Sequence, residues 1–126
     1  MTICTEVLPQ ITAVGTAGTT ATGTQTSTHS LNGELIAIKV VQANTPHANT
    51  DITITISDGV TSWTLLTLTN NNTASKVYYP RMLAQDAAGA DLTGWYERSP
   101  LSGYVTAVVA QGGSGATCDV TVIYED

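Results

Sequence analysis

The chain has 126 residues, of which 42% are hydrophobic and only 11% are charged, and its formal net charge is −6. This length corresponds to about one domain with a core of its own, and the hydrophobic content argues against general disorder. The basic residues Lys39, Lys76, Arg81 and Arg98 do not cluster in the sequence. A nucleic-acid or anionic membrane surface needs a basic patch, so the composition argues against both partners. Its threonine, serine, asparagine and glycine content favours a β-protein whose surface of neutral hydroxyls and amides packs against partners.

Residues 1–30 differ from the rest of the chain. A few apolar residues around Pro9 are followed by GTAGTTATGTQTSTHS, which offers little to bury. We predict an extended arm that pairs with its own sheet or with a neighbouring chain, the alternative being a flexible leader. No apolar run approaches the roughly 20 residues of a membrane span, and the first residues lack a secretory signal, so we expect synthesis in a cytosol.

Residues 34–42, ELIAIKVVQ, are apolar on both faces of a period-2 pattern, which predicts a central strand. Asn32-Gly33 predicts a turn before it. Residues 51–69, DITITISDGVTSWTLLTLT, give the clearest signal, two strands joined by a tight turn at Asp58-Gly59. Leu65-Leu66 breaks the alternation of the second strand, which indicates a bulge or a strand that is buried on both faces.

A short strand at residues 75–79 ends at Pro80, and residues 81–100 are the least regular part of the chain. Within them MLAQDAA suggests one helical turn. Long irregular segments in small domains are usually functional or form interfaces, and aromatic residues and arginine dominate buried contacts. We therefore predict an interface, and stacking on a sugar ring is the alternative for its aromatic residues. The candidate interface residues are Tyr79, Arg81, Trp95, Tyr96 and Arg98.

Residues 101–111 and 116–125 are two further period-2 segments on either side of GGSG, and they predict a second hairpin. The chain as a whole shows no helical periodicity and turn signals at the spacing of a sandwich or barrel. We predict an all-β fold, an antiparallel, jelly-roll-like β-sandwich of about six to eight strands over residues 31–126, with residues 1–30 as its extended N-terminal arm.

No catalytic constellation accompanies this pattern. His29 and His47 have no nucleophile or acid at motif spacing, and Asp91 and Glu97 are not placed as a glycosidase acid pair. Asp86 and Asp91 raise the question of a calcium ion, but their spacing does not match a calcium-binding loop and solvated or capping roles are more common. We predict a protein that is not an enzyme and has no cofactor or resident metal.

Cys4 and Cys118 lie near opposite ends of the chain. We expect two free thiols, because a disulfide requires Cα atoms within about 7 Å and a cytosol keeps such bonds reduced. A disulfide between the terminal strands is the alternative.

The segments ELIAIKVVQ, DITITISDG, YYPRMLAQDAAGADLTGWYERSPLSGYVTAVVAQ and VTVIYED resemble small all-β structural proteins of tailed bacteriophages, in texture and order over about residues 31–126. The resemblance implies a virion component, most of all a capsid decoration (cement) protein. Such a protein binds the outside of the head between major capsid protein subunits, often as a homotrimer, after synthesis in the host bacterial cytoplasm. The family has no catalytic residues to carry over. The alternatives are a carbohydrate-binding β-sandwich module and a tail or fibre component.

Overall fold

The computed structural model describes residues 2–126, and within this range the chain forms eleven β-strands and no helix. The predicted all-β class is confirmed. The strands are β1 Ile3–Val7, β2 Ile11–Thr12, β3 Gly23–Thr26, β4 Leu31–Ala43, β5 Asp51–Ser57, β6 Ser62–Leu68, β7 Ser75–Tyr78, β8 Met82–Gln85, β9 Asp91–Glu97, β10 Pro100–Ala110 and β11 Thr117–Glu125. Eight of them, β4 to β11, lie in residues 31–126, which agrees with the six to eight strands predicted there, and the other three lie in the segment predicted as an arm.

Nine strands form one large sheet with the order β1-β11-β4-β10-β5-β6. To this path β2 is added on β11, β3 on β10 and β7 on β4, while β8 and β9 form a separate two-stranded sheet. All described strand pairs are antiparallel, as the turn signals predicted.

The predicted hairpin of residues 51–69 is confirmed as β5 and β6. Its loop is held by the Asp58 carboxylate, whose Oδ1 accepts the N–H groups of Val60 at 2.9 Å and Thr61 at 2.7 Å. Hydrogen bonds from Thr61 and Val60 lower the pKa of Asp58. In the ladder Thr55 faces Thr64 and Ile54 faces Leu66, so Leu65 is the extra residue of a bulge, one of the two arrangements that the sequence allowed.

One hydrophobic cluster joins the inward faces of these strands. Every second residue of β5 is fully buried, because successive strand side chains point to opposite faces and the alternate positions carry isoleucine. β4, β10 and β11 contribute in the same way. The cluster includes Leu35, Ile38 and Val40 of β4, Ile52, Ile54 and Ile56 of β5, Val105, Ala107 and Val109 of β10, and Cys118, Val120 and Val122 of β11.

The predicted second hairpin is wrong, although both of its strands exist. β10 pairs with β3, β4 and β5, whereas β11 pairs with β1, β2 and β4. The connection is fixed elsewhere, since Gly112 donates its N–H to the Ala21 carbonyl at 2.9 Å. A Cβ at Gly113 would lie 2.2 Å from the Thr45 carbonyl oxygen. Period-2 alternation identifies a strand, but it does not identify the strand's partner.

The turn predicted at Asn32-Gly33 is also wrong, because both residues lie inside β4. Gly33 has φ 143°, and a Cβ there would lie 2.1 Å from the Glu125 carbonyl oxygen. The glycine therefore serves a close approach between β4 and the C-terminal end of β11, which looks the same in a sequence as a turn glycine.

Three short strands within residues 2–30 pair with the chain's own sheet. β1 and β2 lie along β11 and β3 lies along β10. Leu8 and Ile11 are buried, with 2% and 1% exposure, and belong to the common core cluster. Contact of this segment with a neighbouring chain stays a prediction.

Candidate functional site

The predicted interface segment forms a two-stranded ribbon, by which we mean residues 82–97. Its strands β8 and β9 pair with each other and, within the described chain, with no strand of the large sheet. The helical turn suggested for MLAQDAA is wrong, since Met82–Gln85 is a strand and Leu83 faces Tyr96 across the ladder. The register shifts beyond this pair, and Gly94 in β9 has φ 85°.

The ribbon leaves the large sheet at a break along one edge of β4. On this edge β7 pairs with Ile38–Val41, and the first residues of β10 pair with residues 31–34. Between them, Arg81 donates from Nη1 to the Ile36 carbonyl at 3.1 Å, and Leu35 donates its N–H to the Ser99 carbonyl at 2.9 Å. β7 and β10 thus follow β4 as one interrupted strand, and the ribbon is inserted at the interruption.

Large apolar side chains of this region are open to solvent. Trp95 is 71% exposed, Tyr96 is 66% exposed and Tyr79, just before the ribbon, is 65% exposed. Leu92 adds a fourth at 38%. Trp and Tyr side chains contribute strongly to the free energy of binding when a partner buries them. Their exposure on one projecting element is therefore typical of a binding surface. Three of the five predicted interface residues, Tyr79, Trp95 and Tyr96, are therefore exposed to solvent, and their contact with a partner stays a prediction.

The other two predicted residues anchor the base of the ribbon. Arg81 donates from Nη1 to the carbonyls of Ile36 and Pro80, and Arg98 donates from Nη1 to Glu125 Oε2 at 2.7 Å. Arg98 and Glu125 are both partly shielded from solvent, so their ion pair ties the end of β9 to β11. Direct contact of either arginine with a partner stays a prediction.

The two aspartates considered for calcium shape the ribbon's turn. Asp86 Oδ1 accepts the N–H groups of Ala88 at 2.8 Å and Ala90 at 3.0 Å, and Asp91 Oδ1 accepts the amide of Gln85 at 3.1 Å. Within residues 2–126, no group of three or more His, Cys, Asp or Glu side chains is placed to hold a metal ion. Asp86 therefore has the capping role that is common for loop aspartates.

A pocket of about 370 Å³ lies at the base of the ribbon and was not foreseen from the sequence. It is lined mainly by apolar atoms of Trp63, Thr64, Met82, Ser99 and Pro100. Trp63 closes one side and donates its Nε1–H to the Pro100 carbonyl at 3.1 Å. Its lining comes from β6, β8 and the start of β10, so only the sheet pairing brings these residues together.

The two cysteines are free thiols, as expected. They lie at different levels of β11, because Cys4 of β1 faces Tyr124 and Cys118 itself faces Ile11 of β2. Burial, with a smaller contribution from the Asp119 charge, raises the pKa of the Cys118 thiol to about 12. A thiol with so high a pKa is a poor nucleophile and serves as core.

The histidines also have structural surroundings. His29 Nδ1 lies 3.2 Å from Glu6 Oε1, and His47 Nδ1 accepts the N–H of Asn49 at 3.0 Å. Neither lies in a constellation of nucleophile, base and orienting group.

Searches against protein-family models, curated proteins and solved structures found no match for the chain. Within residues 2–126 there is also no helix of the length and hydrophobicity that crosses a membrane.

Proposed function

We propose that the protein is a non-enzymatic structural protein of a tailed-phage virion, of the capsid decoration type. It binds the outside of the head between major capsid protein subunits and stabilises the shell after synthesis in the host cytoplasm. It self-associates, and a homotrimer is the expected state. The observation that carries this proposal is the projecting ribbon, whose exposed Trp95 and Tyr96 are suited to bury area against another protein.

The finer architecture belongs to the same proposal. Side chains of β4 and β11 and side chains of β5 and β10 meet in one hydrophobic cluster. This supports a jelly-roll-like sandwich in which two halves of the large sheet face each other across the core. A rigid scaffold of this kind suits a protein that acts through area, because little conformational entropy is lost on binding.

Such a protein works by many modest contacts. A standard specific interface buries about 1,600 Å² in total, and attachment through several copies at once slows dissociation. The low content of charged residues supports this role, since few ions must be desolvated on contact.

A carbohydrate-binding module has less support from the same residues. Trp95 and Tyr96 are consecutive in β9, and consecutive strand side chains point to opposite faces. They therefore do not form one flat platform for a sugar ring. A tail or fibre component remains close in class to the leading proposal, and localisation on the particle separates the two.

The test is binding to viral heads. The proposal expects the gene to lie beside a major capsid gene, and the purified full chain to sediment with heads of that virus that lack it. The bound protein should saturate at a fixed ratio to the capsid subunit and raise the temperature at which the heads open. Failure to sediment with heads, at concentrations where the protein alone stays in solution, would contradict the proposal.

A further inference from the structure

We propose that the pocket at the ribbon base receives an arginine side chain of the partner protein. This rests on the proposed function, because it names the chemistry that the partner presents at this point of the molecule. Inside the pocket the arginine contacts Trp63, Met82 and Pro100. At the rim its positive charge is balanced by the carboxylates of Glu34 and Glu97.

Trp63 gives the pocket an oriented aromatic wall. Its Nε1–H donates to the Pro100 carbonyl at 3.1 Å, so the indole is held in place by its own chain. Together with Met82 it lines a cavity of about 370 Å³, which has room for one long side chain. A planar guanidinium group stacks on the face of a Trp ring and its aliphatic stem covers apolar walls. Arginine therefore fits this pocket better than lysine or a short polar residue.

Two glutamates lie beside the walls of the pocket. Met82 faces Glu97 in the β8–β9 ladder, and Pro100 faces Glu34 in the β4–β10 ladder. Residues that are directly opposite on antiparallel strands have Cβ atoms about 5 Å apart and side chains on the same face. Both glutamates are exposed, and neither forms an ion pair within residues 2–126. The rim of the pocket thus has two carboxylates that a cation can reach.

The chain's own basic residues do not balance this charge. Arg81 donates from Nη1 to the carbonyls of Ile36 and Pro80, and Arg98 donates from Nη1 to Glu125 at 2.7 Å. Neither arginine lines the pocket, and neither does a lysine. Two carboxylates against one guanidinium that is held by carbonyls leave an excess of negative charge, which favours a cationic occupant over a neutral or acidic one.

The negative charge continues beside the pocket. A second cavity of about 520 Å³ shares Pro100 with the pocket, and its lining includes Glu34, Glu125 and Asp126. Among the described residues, only Glu125 of these three has a basic partner. The surface next to the pocket therefore accepts an arginine whose neighbours are neutral or basic, and it repels an acidic segment.

The experiment is a titration of the full chain with three probes, followed by NMR at the Nε1–H of Trp63. The probes are a blocked Gly-Arg-Gly peptide, the same peptide with citrulline, which has the shape of arginine without its charge, and choline. The arginine peptide should shift this signal and bind about 10-fold more tightly than the citrulline peptide. Trp95→Phe identifies the signal, because the chain has only two Trp residues.

Variants locate the charge and the pocket. Glu34→Gln and Glu97→Gln should each weaken arginine binding about 3-fold, and about 10-fold together, as expected for exposed ion pairs. Asp119→Asn is the matched control, since Asp119 lies on β11 and lines neither the pocket nor the second cavity. Thr64→Trp should fill the pocket and abolish binding, while Thr67→Trp on the same strand should not.

Three results of the titration would overturn the inference. They are equal affinity for the arginine and citrulline peptides, tighter binding of choline than of the arginine peptide, and no shift of the Trp63 signal at about 50 mM arginine peptide. Arginine binding that the double variant Glu34→Gln, Glu97→Gln leaves unchanged would do the same.

Binding to viral heads separates this inference from the proposed function. The double variant should bind heads about 10-fold more weakly than the wild type. Heads that bind both chains equally would leave the proposed function intact and overturn only this inference. A chain that binds the arginine peptide as described but ignores heads would contradict the proposed function and leave the arginine pocket standing.

Discussion

Gly103 lies where β10 passes close to the end of β5. Its φ is 114°, and a Cβ there would lie 1.9 Å from the Ser57 carbonyl oxygen. Gly89, in the ribbon turn, has φ 85° but no atom within 4 Å of the same position. A side chain at Gly89 would meet only the cost of a left-handed backbone, whereas a side chain at Gly103 would meet that cost and a steric clash.

We expect Gly103→Ala to lower the free energy of unfolding by about 3 kcal/mol, because strain and overpacking add. Gly89→Ala should cost about 1 kcal/mol, since only the backbone term applies. Urea unfolding of both variants measures the difference. Equal losses in the two variants would show that β10 does not approach β5 as closely as described.

The Cys118 thiol links stability to pH. Its pKa is raised from 9.0 to about 12 in the folded chain, so above pH 9 the unfolded chain releases a proton that the folded chain keeps. The contribution of the protonated Cys118 thiol to the free energy of unfolding is therefore fully present below pH 9, and it is lost as pH rises toward 12. We expect the stability difference between the wild type and Cys118→Ala to shrink above pH 9, as measured by urea unfolding at several pH values. A difference that stays constant across pH 9 would contradict the assignment.

At the scale of elements, the alternation of apolar residues and the turn residues predict some strands and miss others. The β5–β6 hairpin follows from three alternating isoleucines and an Asp-Gly turn, and β4 follows from its apolar run. β9 is exposed along its whole length, so it has no buried face to set a period-2 pattern. β8 has only four residues, three of them half-buried, which is too short a run to distinguish a strand from the helical turn predicted for MLAQDAA.

Residues 2–30 contribute Leu8 and Ile11 to the core, but their apolar residues are spaced too irregularly for the sequence to predict this. We expect Leu8→Ala to lower the free energy of unfolding by about 2–5 kcal/mol, since Leu8 is buried in the common cluster. Val7→Thr, at the neighbouring position with 62% exposure, should change it by less than about 0.5 kcal/mol. Chemical unfolding compares the two. Indifference to both changes would favour an independent arm.

At the scale of the whole molecule, the sequence predicts the aromatic residues of the candidate site but not the pocket beside them. The sequence predicts Tyr79, Trp95 and Tyr96 as interface residues because they lie in or beside a long segment without periodicity, and aromatic residues dominate buried contacts. The pocket was not, because Trp63 and Pro100 meet only after β6 and β10 are placed on either side of β5. The partners of β10 and β11 depend on the same long-range pairing.

The interruption along β4 makes a prediction for the molecule as a whole. Arg81 contacts Ile36 and Ser99 contacts Leu35, so the two ends of the ribbon lie at adjacent residues of β4. Replacing residues 82–97 with a short Gly/Ser linker should leave a domain that still unfolds cooperatively in urea. Amide exchange in β4, β5 and β11 should stay as slow as in the wild type. Loss of cooperative unfolding would show that the ribbon is part of the core fold.

The insertion of the ribbon at this interruption gives two parts of the chain different constraints on substitution. Substitutions in β4, β5, β10 and β11 are constrained by the common core, whereas none of residues 82–97 belongs to that core cluster. Residues in this short stretch are therefore free to vary without loss of the core. For the engineer, it is a natural place to graft a foreign epitope.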